Sequence, residues 1–284
     1  MSEGIIKFTK MHGCGNDYVV INGVKNDISL TPNQIAFLCT THFGIGSEGL
    51  LIAMPSKVAD FRMRMFNIDG TEAEMCGNGI RCISRFAYEE GIVSRKELTV
   101  ETKAGIKKTK LIFDNKNEIS DVRVNMGKVE ILKNPLEKYD LHCASIGNPH
   151  AVMIVKDVKH FPVTELGPKI ECDKAFPNKT NVEFVEIVDK KTIDLRVWER
   201  GCGETFACGT GSSATAFVLN KLGLIDDDCI VRLKGGILKI EIINGEVLMT
   251  GNAVKVFDGN ILFSAIKWFI FIKRIVNDNK NKKT

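Results

Sequence analysis

A chain of 284 residues, 44% hydrophobic and 26% charged, is long enough for two domains with real cores. Its net charge of +4 is modest, is owed largely to Lys273, Arg274, Lys280, Lys282 and Lys283, and comes with no basic stripe interleaved with aromatics, which excludes nucleic acid as a partner. Nine cysteines form no disulfide-like framework, and Met1 to Lys10 holds no charged-then-apolar leader, so a reducing, cytoplasmic setting is expected.

In chain order, Ile5 to Thr9 and Tyr18 to Asn22 are β-branched apolar runs that predict strands. The glycine-rich stretch Met11-His12-Gly13-Cys14-Gly15-Asn16-Asp17 between them predicts a loop. Thr31-Pro32 predicts a helix over 33–40, with a threonine N-cap and proline in the first turn. Leu50 to Met54 and Ala59 to Asn67 predict a hairpin, in which Arg62 and Arg64 alternate with Met63 and Met65 at the strand period. Cys76-Gly77-Asn78-Gly79 leads into a helix over Ile80 to Glu90, with Ile80, Ile83, Phe86 and Ala87 at helical spacing and Gly91 as a stop. Leu98 to Thr102 and Ile106 to Phe113 predict strands around Gly105.

The second half repeats this grammar. Cys208-Gly209-Thr210-Gly211 lies 132 residues after Cys76-Gly77-Asn78-Gly79. The same shift pairs Gly15-Asn16 with Gly147-Asn148, Arg64 with Arg196, Phe66 with Trp198, Glu72 with Glu204 and Gly91 with Gly223. Strands are expected at Ala151 to Val155, Val182 to Val188, Thr192 to Trp198, Ile230 to Leu233, Ile237 to Ile243 and Val247 to Thr250, and a helix at Ser213 to Leu222. That helix is apolar on nearly all sides and is therefore expected to be buried. The fold class read from this pattern is α+β: two pseudo-symmetric domains, each a curved, mostly antiparallel sheet wrapped around a central helix. The expected lobes are residues 1–126 and 127–257, with 258–284 rejoining the first. Ile261 to Ile272 is nearly all apolar but shorter than the roughly 20 residues a bilayer span needs. It predicts a strand and an amphipathic helix on the body or on a partner subunit; a helix lying on a membrane surface is the alternative. Asn277 to Thr284 predicts a tail.

Each Cys-Gly-X-Gly block falls where the chain enters a helix. First-turn N–H groups there lack intrahelical partners and carry partial positive charge. Such a position is expected to depress a thiol pKa and to receive a carboxylate. Cys39, Cys82, Cys143, Cys172 and Cys229 are read as buried small hydrophobes, and Cys14 as lying near the site. Cys76 and Cys82, like Cys202 and Cys208, are six apart, which is not the tight Cys-x-x-Cys spacing of zinc sites, so no metal is expected. Two matched thiols suit chemistry on opposite faces of one carbon. A disulfide switch between Cys76 and Cys208 is the non-catalytic alternative.

The motifs Met11 to Asp17, Phe66-Asn67-x-Asp69-Gly70, Met75-Cys76-Gly77-Asn78-Gly79-x-Arg81-Cys82, Gly147-Asn148-Pro149-His150 and Glu199-Arg200-Gly201-x-Gly203-Glu204-Thr205-x-Ala207-Cys208-Gly209-Thr210-Gly211 resemble the diaminopimelate epimerase family over roughly Ile5 to Ile261. Proline racemases and the phenazine-biosynthesis isomerases share the duplicated fold and match these blocks less well; a two-thiol racemase for another amino acid is the enzymatic alternative.

The resemblance implies a cofactor-independent, metal-free epimerase that interconverts LL- and meso-2,6-diaminopimelate for lysine and cell-wall precursor synthesis, and a homodimer. It implies that Cys76 and Cys208 are the acid/base pair. Asn16, Asn67, Asn148, Asn181, Glu199 and Arg200 would hold substrate. Gly77-Asn78 and Gly209-Thr210 would hold it through backbone N–H groups, and His150 and Glu199 would tune the thiols. Two positions depart from the family: Gly49 stands where glutamine is common, and Tyr18 where phenylalanine is usual.

Overall fold

The computed structural model describes residues 4–25 and 28–266. The first half runs β1 (Ile5–Gly13), β2 (Asn16–Asn22), α1 (Pro32–Cys39), β3 (Gly49–Met54), β4 (Phe61–Asn67), β5 (Glu72–Ala73), α2 (Gly77–Glu89), β6 (Glu97–Thr102), β7 (Gly105–Phe113) and β8 (Ile119–Lys128). The second runs β9 (Glu130–Leu132), β10 (His142–Ser145), β11 (Pro149–Ile154), α3 (Val163–Glu171), β12 (Asn181–Asp189), β13 (Thr192–Glu199), β14 (Gly203–Thr205), α4 (Gly209–Lys221), β15 (Asp228–Leu233), β16 (Gly236–Ile243), β17 (Glu246–Gly251) and β18 (Val254–Leu262).

The stretch expected to be a loop at Met11 to Asp17 is mostly strand. β1 and β2 pair down to Gly13↔Asn16, and only Cys14 and Gly15 turn. Both sit at positive φ, 52° and 81°, the backbone that closes a two-residue hairpin with the right twist. α1 starts as its sequence predicts: Thr31 caps the Gln34 N–H, and the Gln34 side chain returns a bond to the Thr31 N–H.

Each half makes two parallel strand pairs through helical crossovers. β2 pairs with β3 and β4 with β6; β11 pairs with β12 and β13 with β15. The repeat survives in register. Phe66 faces Glu72 and Trp198 faces Glu204. Arg64 bonds Glu72 at 2.8 Å, and Arg196 bonds Glu204 at 2.7 Å. Beyond the central helices the shift falls by one residue, so that Phe61↔Val100 answers Ile193↔Val231. The halves join through β8, which pairs with β17, and through β18, which returns to pair with β1 from Ile5↔Leu262 to His12↔Val254.

α2 and α4 lie inside the curved sheets, in one core shared by both halves. α4 is buried along Gly211–Leu219, as its all-round apolar sequence predicts. α1 packs on the outer face of the first half with Ile21, Leu50 and Phe66. α3 occupies the equivalent outer face of the second, against Phe184 and Trp198. α3 was not legible in sequence, because Gly167 and Pro168 argue against a helix. The fold requires that glycine: a Cβ there would lie 2.5 Å from the Trp198 ring. Helical backbone resumes at Phe263–Ile266, with Ile266 fully buried in the outer core of the first half. The rest of the expected terminal helix, and the tail, lie outside the described residues.

Candidate active site

α2 and α4 begin against each other. Cys76 is the N-cap of α2 and Cys208 the N-cap of α4, both with extended backbone. A Cβ added to Gly77 would stand 3.2 Å from Gly209 Cα, and one added to Gly209 would stand 3.2 Å from Gly77 Cα. Only two glycines allow this approach. The positive ends of two helix dipoles therefore converge, each with a thiol at its start. Asn78 ties them together: its Nδ2 donates to Ala207 O at 2.9 Å, beside Cys208.

The two sulfurs have different neighbours. Cys76 Sγ lies 3.1 Å from the Tyr18 hydroxyl. Cys208 Sγ accepts the Gly211 N–H at 3.4 Å and lies 3.4 Å from Thr210 Oγ1. Thr210 Oγ1 in turn accepts from Asn148 Nδ2 at 3.3 Å. Asn148 Oδ1 lies 3.1 Å from His150 Nε2, and His150 Nδ1 lies 2.7 Å from Glu183 Oε1.

Both thiols titrate high, against the expectation from the helix starts. Burial pushes Cys76 up and Cys208 well up, and the Glu199 carboxylate adds to both. N–H donors of the first turns and the Tyr18 and Thr210 hydroxyls pull the other way without prevailing.

The remaining expected site residues divide by what already holds them. Among the described residues Asn16 Oδ1 is buried with no hydrogen-bond partner, an acceptor left open. Glu199 Oε1 accepts from Thr205 at 2.6 Å. Asn181 accepts the Arg200 N–H and donates to Pro149 O, both at 2.9 Å, so its side chain fixes the turn carrying Arg200. Arg200 itself donates to Asn178 O at 3.1 Å. Asn67 is exposed, and its amide is bonded to Thr71 within a turn. Gly49 pairs with Tyr18 and leaves room for its ring. Cys14 is buried against Arg81, 3.5 Å from Nη2. Cys39, Cys82, Cys143 and Cys229 are buried, but Cys172 is exposed, because it caps the short helix α3 at the surface.

Three contributors were not read from sequence. Glu183 is fully buried beside His150. Glu171 accepts the Trp198 Nε1–H at 2.7 Å and the Gly201 N–H at 2.9 Å, which anchors the Glu199–Gly201 turn from α3. Arg81, also fully buried, donates to Gly77 O, Asn78 Oδ1 and Asn252 O. The internal shift of 132 offered one signal, since it makes Tyr18 the counterpart of His150. Among the described residues no cluster of three or more His, Cys, Asp or Glu side chains is placed to hold a metal ion, and no helix is long and apolar enough to cross a membrane.

Comparison with known proteins gives the fold and the family. Solved structures that match include a Bacillus anthracis phenazine biosynthesis protein of the PhzF family, with TM-score 0.71 at 19% identity over 91% of this chain and 99% of that one. A probable proline racemase from Agrobacterium radiobacter K84 superposes with TM-score 0.70 at 16% identity over 90% and 92%. At such identities the likeness is one of fold. By sequence, diaminopimelate epimerases from Methanococcus maripaludis S2 and Acetivibrio thermocellus are each 46% identical, over 90% of this chain and 99% and 98% of theirs. The diaminopimelate epimerase family model matches residues 8–132 and 142–256. With that much of its length matched, the chain belongs to the diaminopimelate epimerase family.

Proposed function

We propose that this protein interconverts LL- and meso-2,6-diaminopimelate by two-thiol proton exchange. The observation that carries this reading is the contact of Gly77 with Gly209, which sets the two cysteine N-caps on adjoining helix starts. One cysteine, as thiolate, takes the α-proton from one face of the carbon. The other, as thiol, gives its proton to the opposite face. The pair ends with its protonation reversed, and the direction of reaction decides which sulfur is base.

An α-proton is far less acidic than a thiol, so the developing charge needs stabilisation. The substrate α-carboxylate would accept from the first-turn N–H groups of Gly77-Asn78 and Gly209-Thr210. Glu199 would receive the ammonium group. Arg200, Asn16 and Asn148 would take the distal amino-acid head, with Asn67 and Asn181 completing the shell. His150 and Glu199 would tune the thiols. The enzyme would work in the cytoplasm as a homodimer without a cofactor, built from lobes 1–126 plus the returning 258–284 and 127–257.

The test is incubation with LL-diaminopimelate in heavy water, with L-proline as control. The inverted product should gain one deuterium before recovered substrate does. Equal early labelling of both would exclude two bases, and turnover of proline alone would exclude the substrate.

A further inference from the structure

Tyr18 is 1% exposed, and its hydroxyl lies 3.1 Å from Cys76 Sγ. β2 sets it there through parallel pairing with Gly49. A Cβ on Gly49 would stand 3.4 Å from the Tyr18 ring and 2.8 Å from Phe66 O, so the bare glycine gives the ring its seat. In the other half the same register position is His150, paired with Asn181. His150 reaches Cys208 only at a distance, through Asn148 and Thr210. The first sulfur thus has a phenol directly on it, whereas the second has the end of a relay.

A phenol donates well to an anion, and a hydrogen bond of this kind strengthens when its acceptor becomes charged. We propose that Tyr18 is a positioning residue that holds the Cys76 sulfur and stabilises its thiolate, so that of the two thiols Cys76 is the one that ionises first. This deepens the two-thiol reading above and rests on it. The charged or titratable groups facing Cys76 are Tyr18 on β2, Cys82 on α2, Glu199 at the end of β13 and Cys202 in the turn beyond. Glu199 opposes ionisation of both thiols, and the Tyr18 bond is the largest influence that favours it at Cys76. Burial keeps Tyr18 itself protonated, hence a donor.

The test is Tyr18→Phe, which keeps the ring and removes the hydroxyl. The pH midpoint of iodoacetamide alkylation is followed separately for Cys76 and Cys208 by peptide mass. In the unaltered enzyme the Cys76 midpoint should lie below that of Cys208. In Tyr18→Phe it should rise by about one pH unit, equivalent to roughly tenfold less thiolate at neutral pH. Incorporating 3-fluorotyrosine at position 18, which preserves shape and sharpens the donor, should lower the midpoint, and it serves if Tyr18→Phe does not fold. An unmoved Cys76 midpoint, or a Cys208 midpoint below that of Cys76, overturns the inference. If the unaltered enzyme leaves diaminopimelate unchanged while the midpoint moves, the substrate reading fails and the Tyr18 bond to Cys76 stands. If diaminopimelate is turned over and the midpoint stays, the reverse holds.

Discussion

Glu183 and Cys208 are connected by an unbroken run of polar contacts through His150, Asn148 and Thr210. Glu183 and His150 are both fully buried at the side chain, and among the described residues Glu183 Oε2 finds no side-chain partner. The carboxylate thus spends its remaining oxygen on His150 and fixes which way the ring faces.

Glu183→Gln keeps the shape of that contact and removes its charge. A charge-assisted hydrogen bond contributes roughly 1.5–3 kcal/mol, on the order of 10- to 100-fold in rate if it is lost only at the transition state. Steady-state kinetics should show that fall in kcat with little change in KM, and a displaced pH profile. A variant with the parent's kcat and profile would mean the run ends at His150.

Arg81 is buried without a carboxylate partner among the described residues, and its donors go to Gly77 O, Asn78 Oδ1 and Asn252 O. Asn78 hands the constraint on to Ala207 in the other half. Arg81→Met would leave those acceptors unpaired, at a cost of about 2–4 kcal/mol. Urea denaturation measures that loss. Activity should fall further than the loss of folded protein explains, because both helix starts lose a common tie.

Much of this was legible in sequence because the duplication spoke twice. The Cys-Gly-X-Gly blocks, and Arg64 with Glu72 against Arg196 with Glu204, point to one fold made two times. α1 announced itself with Thr31 and Pro32, whereas its counterpart α3 begins after Pro162 and carries Gly167 and Pro168. Tertiary packing against Trp198, not local propensity, makes α3 a helix. Burial was the harder quantity. Helix-start reasoning sees the N–H donors near Cys76 and Cys208 but not the desolvation and the Glu199 carboxylate that outweigh them. Arg81 and Glu183 are charged residues on elements read for their apolar pattern, Glu171 lies on the unread α3, and only their three-dimensional partners reveal their use.

Gly77→Ala tests the contact between the helices. The new methyl would meet Gly209 Cα and Met249 Cε, each at 3.2 Å, so one helix start must shift by a few tenths of an ångström. Reacting groups tolerate such displacement poorly. Activity should fall by about tenfold or more, with only a small change in melting temperature. Full activity would show that the approach of the helices is dispensable.

Stability should decline in alkali for a definable reason. Burial pushes Cys82 and Cys229 to about 12 and Cys143 to about 11, while unfolded thiols ionise near 8.5. Above that value the unfolded chain releases protons that the folded one keeps, so the stabilisation, complete below it, is lost as pH rises toward the folded values. Each thiol contributes a slope of roughly 1.4 kcal/mol per pH unit. Urea midpoints in reductant between pH 8 and 10.5 should fall accordingly, and Cys229→Ala should make the decline shallower. An unchanged slope would contradict the burial of that thiol.

β18 lies against β1 along nearly its whole length, so a strand made early waits for one made much later. Until residue 262 has left the ribosome, β1 has β2 on one side and an open edge on the other. The N-terminal half cannot be completed vectorially. It must either be held back from sticking to other chains by that exposed edge or settle only once β18 has been made.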